Sequence, residues 1–185
     1  MYEFYERDTE ALVRTGDLSS ALSVSPASAT EMIQRLASKG LVEYTPYKGA
    51  RLTERGLIHG KKMKRRHRLA EVLLEILPFD GNAHATACRL EHAIDDDLEV
   101  ALSLLLGRPD VDPSGREIPT PSPEILTRIE ANHREIRTLT SMEVGEQGSI
   151  QAMVLAPARM EQLKAIGLAI NSVVVRDSNG FALGD

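Results

Sequence analysis

Six residues between positions 67 and 92 carry the side chains best suited to chemistry: His67, Glu71, His84, Cys88, Glu91 and His92. His67 and Glu71 are four apart, as are His84 and Cys88, and Glu91 and His92 follow the cysteine by one helical turn. Spacing of four stacks side chains on one helical face, so each pair can converge on one ion. Imidazole nitrogen, thiolate sulfur and carboxylate oxygen together suit late first-row divalent metals such as iron, cobalt, nickel or zinc. Calcium or magnesium would call for more oxygen. A lone histidine is more often a surface or packing residue, but three histidines in one such set reverse that expectation. Cys88, His84 and Glu91 could also be imagined as nucleophile, base and orienting group. All three would then share one short helix, with no glycine-rich oxyanion backbone nearby. The chain has no Gly-rich phosphate loop, no His-Glu-x-x-His pattern and no paired CxxC knuckles, so no enzymatic function is expected.

Helices must position these donors. A long helix is expected over residues 54–76, with Leu57, Ile58, Met63, Leu69, Leu73, Leu74 and Ile76 as its buried set and Pro78 as its stop. A second is expected over 82–93, after the break at Phe79, Asp80 and Gly81, and a third over 98–106. The third carries a nearly continuous apolar strip. Leu98, Ala101, Leu102 and Leu105, with Leu90, ask for a partner surface, and a two-fold contact between copies of the chain would supply one. Burial within the same chain is the competing explanation.

The N-terminal part reads as two short helices joined by a tight turn and followed by a hairpin. Thr15 or Asp17 can cap the first helix. Ser25 caps the second, with Pro26 at its first position, where no hydrogen bond is lost. Met32, Ile33 and Leu36 form the inner face, and Lys39-Gly40 ends the helix. Strand-like segments at 41–44 and 50–53 flank a turn containing Gly49. This pattern is a winged helix-turn-helix. A small helix start, with Ser25 and Ala27, lets the backbone approach the major groove, where Ser28, Thr30 and Gln34 can touch base edges, and Arg35, Lys48 and Arg51 suit phosphate contacts. A protein-binding winged helix is the alternative.

The net charge of −5 hides a gradient: residues 1–76 balance to +3 and residues 77–185 to −8. A basic N-terminal half can face phosphates while the acidic remainder points away. The run Lys61, Lys62, Lys64, Arg65, Arg66 and Arg68 is either part of that surface or an ordinary solvated helix face. A single cysteine rules out an intrachain disulfide and fits a reducing compartment. No signal segment or membrane-spanning run is visible. A cytoplasmic location without membrane association is therefore expected.

Several stretches together resemble the diphtheria toxin repressor family of iron- and manganese-dependent regulators. They are SPASATEM (25–32), KGLVEY (39–44), LTERG (52–56), RHRLAE (66–71), ACRLEH (87–92) and DPSGREIP (112–119). The resemblance covers residues 2–119. It implies a dimeric, metal-dependent repressor that reads palindromic operator DNA, with metal binding ordering the N-terminal helices. It also implies two ligand groups, His67, Glu71 and His84 in an ancillary site and Cys88, Glu91 and His92 in the main regulatory site. Cysteine at position 88 resembles the iron-responsive branch. Fe(II) is therefore the expected ion, with Mn(II) as the alternative and Zn(II), Co(II) or Ni(II) able to occupy the site in vitro. The family's further ligands come from an N-terminal helix whose first turn lies before the start of this chain, leaving Glu3, Glu6 or water to close the site. A metal-independent winged-helix regulator with a structural metal site is the remaining alternative.

Five prolines between 107 and 123 mark a linker. A charged helix over 124–137, strand-like pieces at 149–155 and 172–176 and a helical stretch at 159–166 follow. This part resembles the small SH3-like barrel of iron-dependent regulators and of ferrous-iron transport accessory proteins. Ala156 and Arg159 stand where some family members donate a metal ligand, with Glu161 as a poorly registered substitute. The expected fold is thus mostly α with small β elements. A winged helix-turn-helix spans 1–60, a helical metal-binding and dimerisation domain with its linker spans 61–123, and an SH3-like barrel lacking a clear closing strand spans 124–185.

Overall fold

The structure is a computed structural model that describes residues 1–10, 12–132, 136–155 and 157–184. Its first unit comprises α1 (Tyr2–Arg7), α2 (Thr15–Leu22), α3 (Pro26–Ser38), β1 (Val42–Thr45) and β2 (Gly49–Leu52). Ser25 caps α3 by accepting from the Ser28 amide at 3.1 Å, with Pro26 in the first turn. Val13, Leu18, Ile33, Val42 and Ala50 close the core between these elements. The inner face of α3 is set by Ala29 and Ile33, both fully buried, whereas Met32 is exposed. β1 and β2 pair antiparallel with Val42 opposite Leu52 and Glu43 opposite Arg51, making the wing.

Helix α4 (Glu54–Ile76) follows directly. The Thr53 hydroxyl accepts from the Gly56 amide at 3.0 Å and donates to the Gly40 carbonyl at 2.8 Å, tying the helix start to the end of α3. Any Cβ at Gly56 would collide with the Leu41 carbonyl oxygen, so only glycine lets the wing pass this close to the helix. α4 packs on α5 (Ala83–Leu90) and α6 (Asp96–Leu105) through Ala70, Leu74, Ala87, Ile94 and Leu102. Asn82 and Asp95 cap these two helices. α7 (Pro123–Glu130) closes a smaller cluster in which its Ile125 and Ile129 meet Val100 and Leu104.

The basic stretch of α4 turns inward. Lys64 pairs with Glu3 of α1, Lys62 with Asp96, Arg65 with Glu99, Arg66 with both Asp96 and Glu99, and Arg68 with Glu6. Arg65 also donates to the Pro119 carbonyl at 2.9 Å and the Ser103 hydroxyl at 2.8 Å. These cations are neither a phosphate-facing surface nor a solvated face. They are the internal ionic layer that seats α1, α6 and residues 110–120 on α4, and Lys61 alone of the run is exposed.

Residues 110–119 form a tight loop rather than a loose connection. Val111 bridges to Glu117 and Ile118 is buried. The buried Asp112 carboxylate accepts from the Ser114 amide and hydroxyl, the Arg116 amide and the Arg116 guanidinium. Burial alone would raise this carboxyl. The hydrogen bonds from Ser114 and Arg116 and the charge of Arg116 outweigh burial and hold it below its ordinary value. A depressed folded-state value contributes stability that is present above the unfolded carboxylate range and lost as pH falls through the folded value. Asp112→Asn should therefore lower stability near neutrality and flatten the acid limb of a denaturation-versus-pH curve. Parallel acid limbs for the two proteins would refute that role.

The C-terminal region corrects the barrel expectation. β3 (Gln147–Ser149), β4 (Val173–Arg176) and β5 (Phe181–Leu183) form an open antiparallel sheet in the order β3-β4-β5. Past Ser149 the chain leaves the sheet after Ile150, so the expected strand over 149–155 does not form. A helix, α8 (Pro157–Ala165), intervenes. Val174 is the one buried apolar residue among the described residues beyond 130, while Val154, Leu155, Ile166, Ile170 and Leu183 are exposed. A closed barrel needs inward side chains from every strand, and three short strands with one buried residue do not enclose an interior. Ala156 and residues 133–135 of the expected helix over 124–137 lie outside the described residues.

Candidate metal centre and nucleic-acid interface

The C-terminal half of α4 and the whole of α5 face each other across the donor cluster. α4 presents His67 and Glu71 one turn apart, α5 presents His84 and Cys88 one turn apart, and Glu91 sits at the α5 C-cap. His67 is nearly inaccessible, at 3% exposure, and lies at the centre. Its Nδ1 is 2.8 Å from Glu91 Oε2, while its Nε2 is 3.2 Å from both His84 Nδ1 and Glu71 Oε1. His84 Nδ1 is 2.9 Å from Glu71 Oε1, and its Nε2 is 3.9 Å from Cys88 Sγ. The two rings meet edge-on, with centroids 4.8 Å apart.

Glu91 lies at Nδ1 of His67, while Glu71 Oε1 is within reach of both His67 Nε2 and His84 Nδ1, so one carboxylate oxygen bridges the two rings and His84 Nε2 faces the thiol. Burial, with the Glu91 and Glu71 carboxylates adding to it, pushes the Cys88 thiol up. The donor atoms of His67, His84 and Cys88 all lie within 4.8 Å of one another. Two imidazoles, a thiol and two carboxylates crowded into this space fit a divalent transition ion.

The arrangement differs from two separate ligand groups. Glu91 hydrogen-bonds His67, as a carboxylate orients a metal-binding histidine, while its charge is also felt at Cys88. His92 is exposed and, among the described residues, reaches Glu91 at 3.5 Å. Cys88 clusters with His84 and His67. Glu3 and Glu6 are engaged by Lys64 and Arg68 and do not enter the cluster. Arg159 and Glu161 are exposed on α8, where Glu161 pairs with Lys164. Arg116, which spacing alone did not single out, donates to Glu71 Oε2 at 3.1 Å. Its only sequence signal was membership of the DPSGREIP stretch.

In the N-terminal unit, α3 exposes Ala27, Ser28, Gln34 and Arg35. The Ser28 hydroxyl lies 2.9 Å from that of Ser25, and Thr30, half-buried, donates back to the Pro26 carbonyl at 2.8 Å. Lys48 is exposed near the wing tip. Arg51 is exposed but pairs with Glu43 across the hairpin at 2.7 Å, as their opposed register dictates. Tyr47, fully exposed at the wing tip with φ +65°, was not foreseen. Of the expected dimer residues, Leu98 and Ala101 are exposed on α6 and Leu105 is half-buried in the same stripe, whereas Leu102 and Leu90 pack in the chain's own core.

Fold and site together define a winged-helix regulator with a candidate metal site between α4 and α5. The family model for the iron dependent repressor N-terminal DNA binding domain matches residues 2–50, and that for the iron dependent repressor metal binding and dimerisation domain matches 53–120. The chain belongs to the diphtheria toxin repressor family of metal-dependent transcriptional regulators, whose members act as dimers on operator DNA; it is not an enzyme family. Over 96 residues the chain is 34% identical to an HTH-type transcriptional regulator of Methanocaldococcus jannaschii, covering 51% of this chain and 77% of that protein. Over 105 residues it is 32% identical to the iron-dependent repressor IdeR of Mycobacterium tuberculosis, covering 55% of this chain and 45% of IdeR. A manganese-dependent transcriptional repressor solved with manganese superposes with a TM-score of 0.54 at 26% identity, covering 95% of this chain and 83% of that one. The chain spans about half the length of IdeR and of the MntR regulators it also matches. Among the described residues no helix is long and apolar enough to cross a membrane.

Proposed function

We propose that this chain is a divalent-metal-dependent repressor that binds palindromic operator DNA as a homodimer, with Mn(II) rather than Fe(II) as the favoured ion. The observation that carries the reading is His67, held by Glu91 on one ring nitrogen and offering the other to the space shared with Glu71, His84 and Cys88. His67, Glu71, His84 and Cys88 would hold the ion, which supplies a cross-link between α4 and α5 and neutralises their carboxylates. Glu91 orients His67, and His92 extends that chain outward. One carboxylate and two imidazoles outnumber the single sulfur in this set and favour a harder ion than a thiolate-dominated set would. The likeness to a manganese-dependent repressor agrees with this.

In this reading residues 1–60 bind DNA, residues 61–123 bind metal and dimerise through Leu98, Ala101 and Leu105, and residues 124–185 form an accessory module. Ser28 and Gln34 read bases, Ser25, Ala27 and Thr30 shape the helix approach, and Arg35, Lys48 and Arg51 contact phosphate. The test is anaerobic titration of the chain with Mn(II) and Fe(II), with operator binding measured at each ion concentration. Operator binding that is unchanged by chelation would end the proposal, and Fe(II) acting at lower concentration than Mn(II) would reverse the ion preference. Separately, Lys48→Ala should weaken all duplexes alike and reduce the slope of log affinity against log salt by about 1, while Gln34→Ala should alter relative sequence preference. Identical effects from the two would remove the division between phosphate and base contacts.

A further inference from the structure

Glu71 is held from two sides. Its Oε1 touches both imidazoles, and its Oε2 accepts from Arg116 Nη2 at 3.1 Å. Arg116 does not arrive by chance of rotamer, because its Nε donates to the buried Asp112 carboxylate at 2.7 Å and its own amide donates to the same carboxylate at 3.0 Å. One guanidinium thus spans two acids, with its planar fork fixed on the Asp112 side and presented to Glu71 on the other. The Glu71 side chain is 9% exposed, so its charge is poorly solvated and depends on this neighbour.

We infer that Arg116 is a built-in counter-cation for the metal cluster: it neutralises Glu71 when no ion is bound and so competes with a divalent ion for that carboxylate, setting the affinity of the site. The inference rests on the reading of His67, Glu71, His84 and Cys88 as a divalent-ion site. A guanidinium is permanently charged, and a dication brought to the other carboxylate oxygen meets its repulsion and must share an acceptor already satisfied. The loop that carries Arg116 also grips Arg68 through the Glu117 carbonyl, and Arg68 grips Glu6 of α1. An ion at Oε1 that draws charge from Glu71 therefore weakens its hold on Arg116, a contact of the loop that seats the first helix of the DNA-reading unit.

Calorimetric titration of the full chain with Mn(II) tests this in three proteins: the natural chain, Arg116→Gln and Arg116→Lys. Removing the charge should tighten Mn(II) binding by at least about threefold, a modest factor because Arg116 is part-exposed and screened. Keeping the charge in the lysine variant should leave affinity within about twofold. The metal-free Arg116→Gln protein should also melt lower and show a larger Mn(II)-induced rise in Tm than the natural chain. A merely structural Arg116 would instead weaken binding in the glutamine variant. Unchanged or weaker binding by Arg116→Gln, or equal tightening by Arg116→Lys, overturns the inference. If the natural chain binds no Mn(II), the proposed function fails separately. Binding by Arg116→Gln would then still support exclusion of the ion by the guanidinium, and its silence would overturn it.

Discussion

A His67→Ala protein is expected to lose Mn(II) binding by more than about 100-fold, and with it metal-dependent operator binding. Loss of a partner that only orients a metal ligand already costs about 10–100-fold, and His67 is both the central donor and the contact that joins Glu91 to Glu71 and His84. The substitution also leaves the poorly exposed Glu71 and Glu91 side chains facing a void with one partner fewer. Two readouts separate these effects. Mn(II) titration reports the donor, and metal-free denaturation reports the vacated space. His92→Ala is the comparison: its ring is exposed and reaches Glu91, so it should retain Mn(II) binding far better than His67→Ala. Equal losses in the two variants would restore a regulatory site built on Cys88, Glu91 and His92 and remove His67 from the centre.

The second large effect belongs to Glu99. Its carboxylate is 1% exposed and meets Arg65 Nε at 3.1 Å and Arg66 Nε at 2.9 Å. Burial pulls the Arg65 guanidinium below its ordinary value, and the Glu99 charge opposes that pull. Removing one member of a buried pair strands the other charge, which costs about 3–5 kcal/mol. Glu99→Gln should therefore lower Tm by about 10 °C. Replacing Arg65, Arg66 and Glu99 together by methionine should recover much of the loss, because an apolar set of similar volume avoids the desolvation cost. A Glu99→Gln protein that melts with the natural chain would show that water reaches the ionic layer.

How far the sequence discloses this architecture depends on the range of the interaction involved. Pro78 after the apolar rhythm closes α4 where the structure has it, since breakers act locally, whereas the Thr53 cap at its start was not singled out. The i, i+4 spacing of His67 with Glu71 and of His84 with Cys88 placed four donors on two facing helical edges for the same reason. What Glu91 would touch depended on the crossing of α4 and α5, and no local pattern encodes that crossing. The inward turn of Lys62, Lys64, Arg65, Arg66 and Arg68 was illegible because their partners, Glu3, Glu6, Asp96 and Glu99, lie about 30 or 60 residues away in the chain. A basic run has the same composition whether it meets phosphate, water or buried carboxylates. The open C-terminal sheet was misread because alternating short apolar segments do not specify how many strands will pair or whether the ends will meet.

The wing and the donors lie on one rod. α4 begins at Glu54, one residue past the wing-terminal cap Thr53, and reaches His67 without a break. At a rise of about 1.5 Å per residue that separation is about 20 Å. Pivoting the rod by about 10° at the His67 end would carry its wing-proximal tip sideways by about 3.5 Å, close to the rise per base pair of a duplex along one strand. A small rotation of this rod at the donor cluster would thus be magnified at the wing into a displacement of one base-pair step.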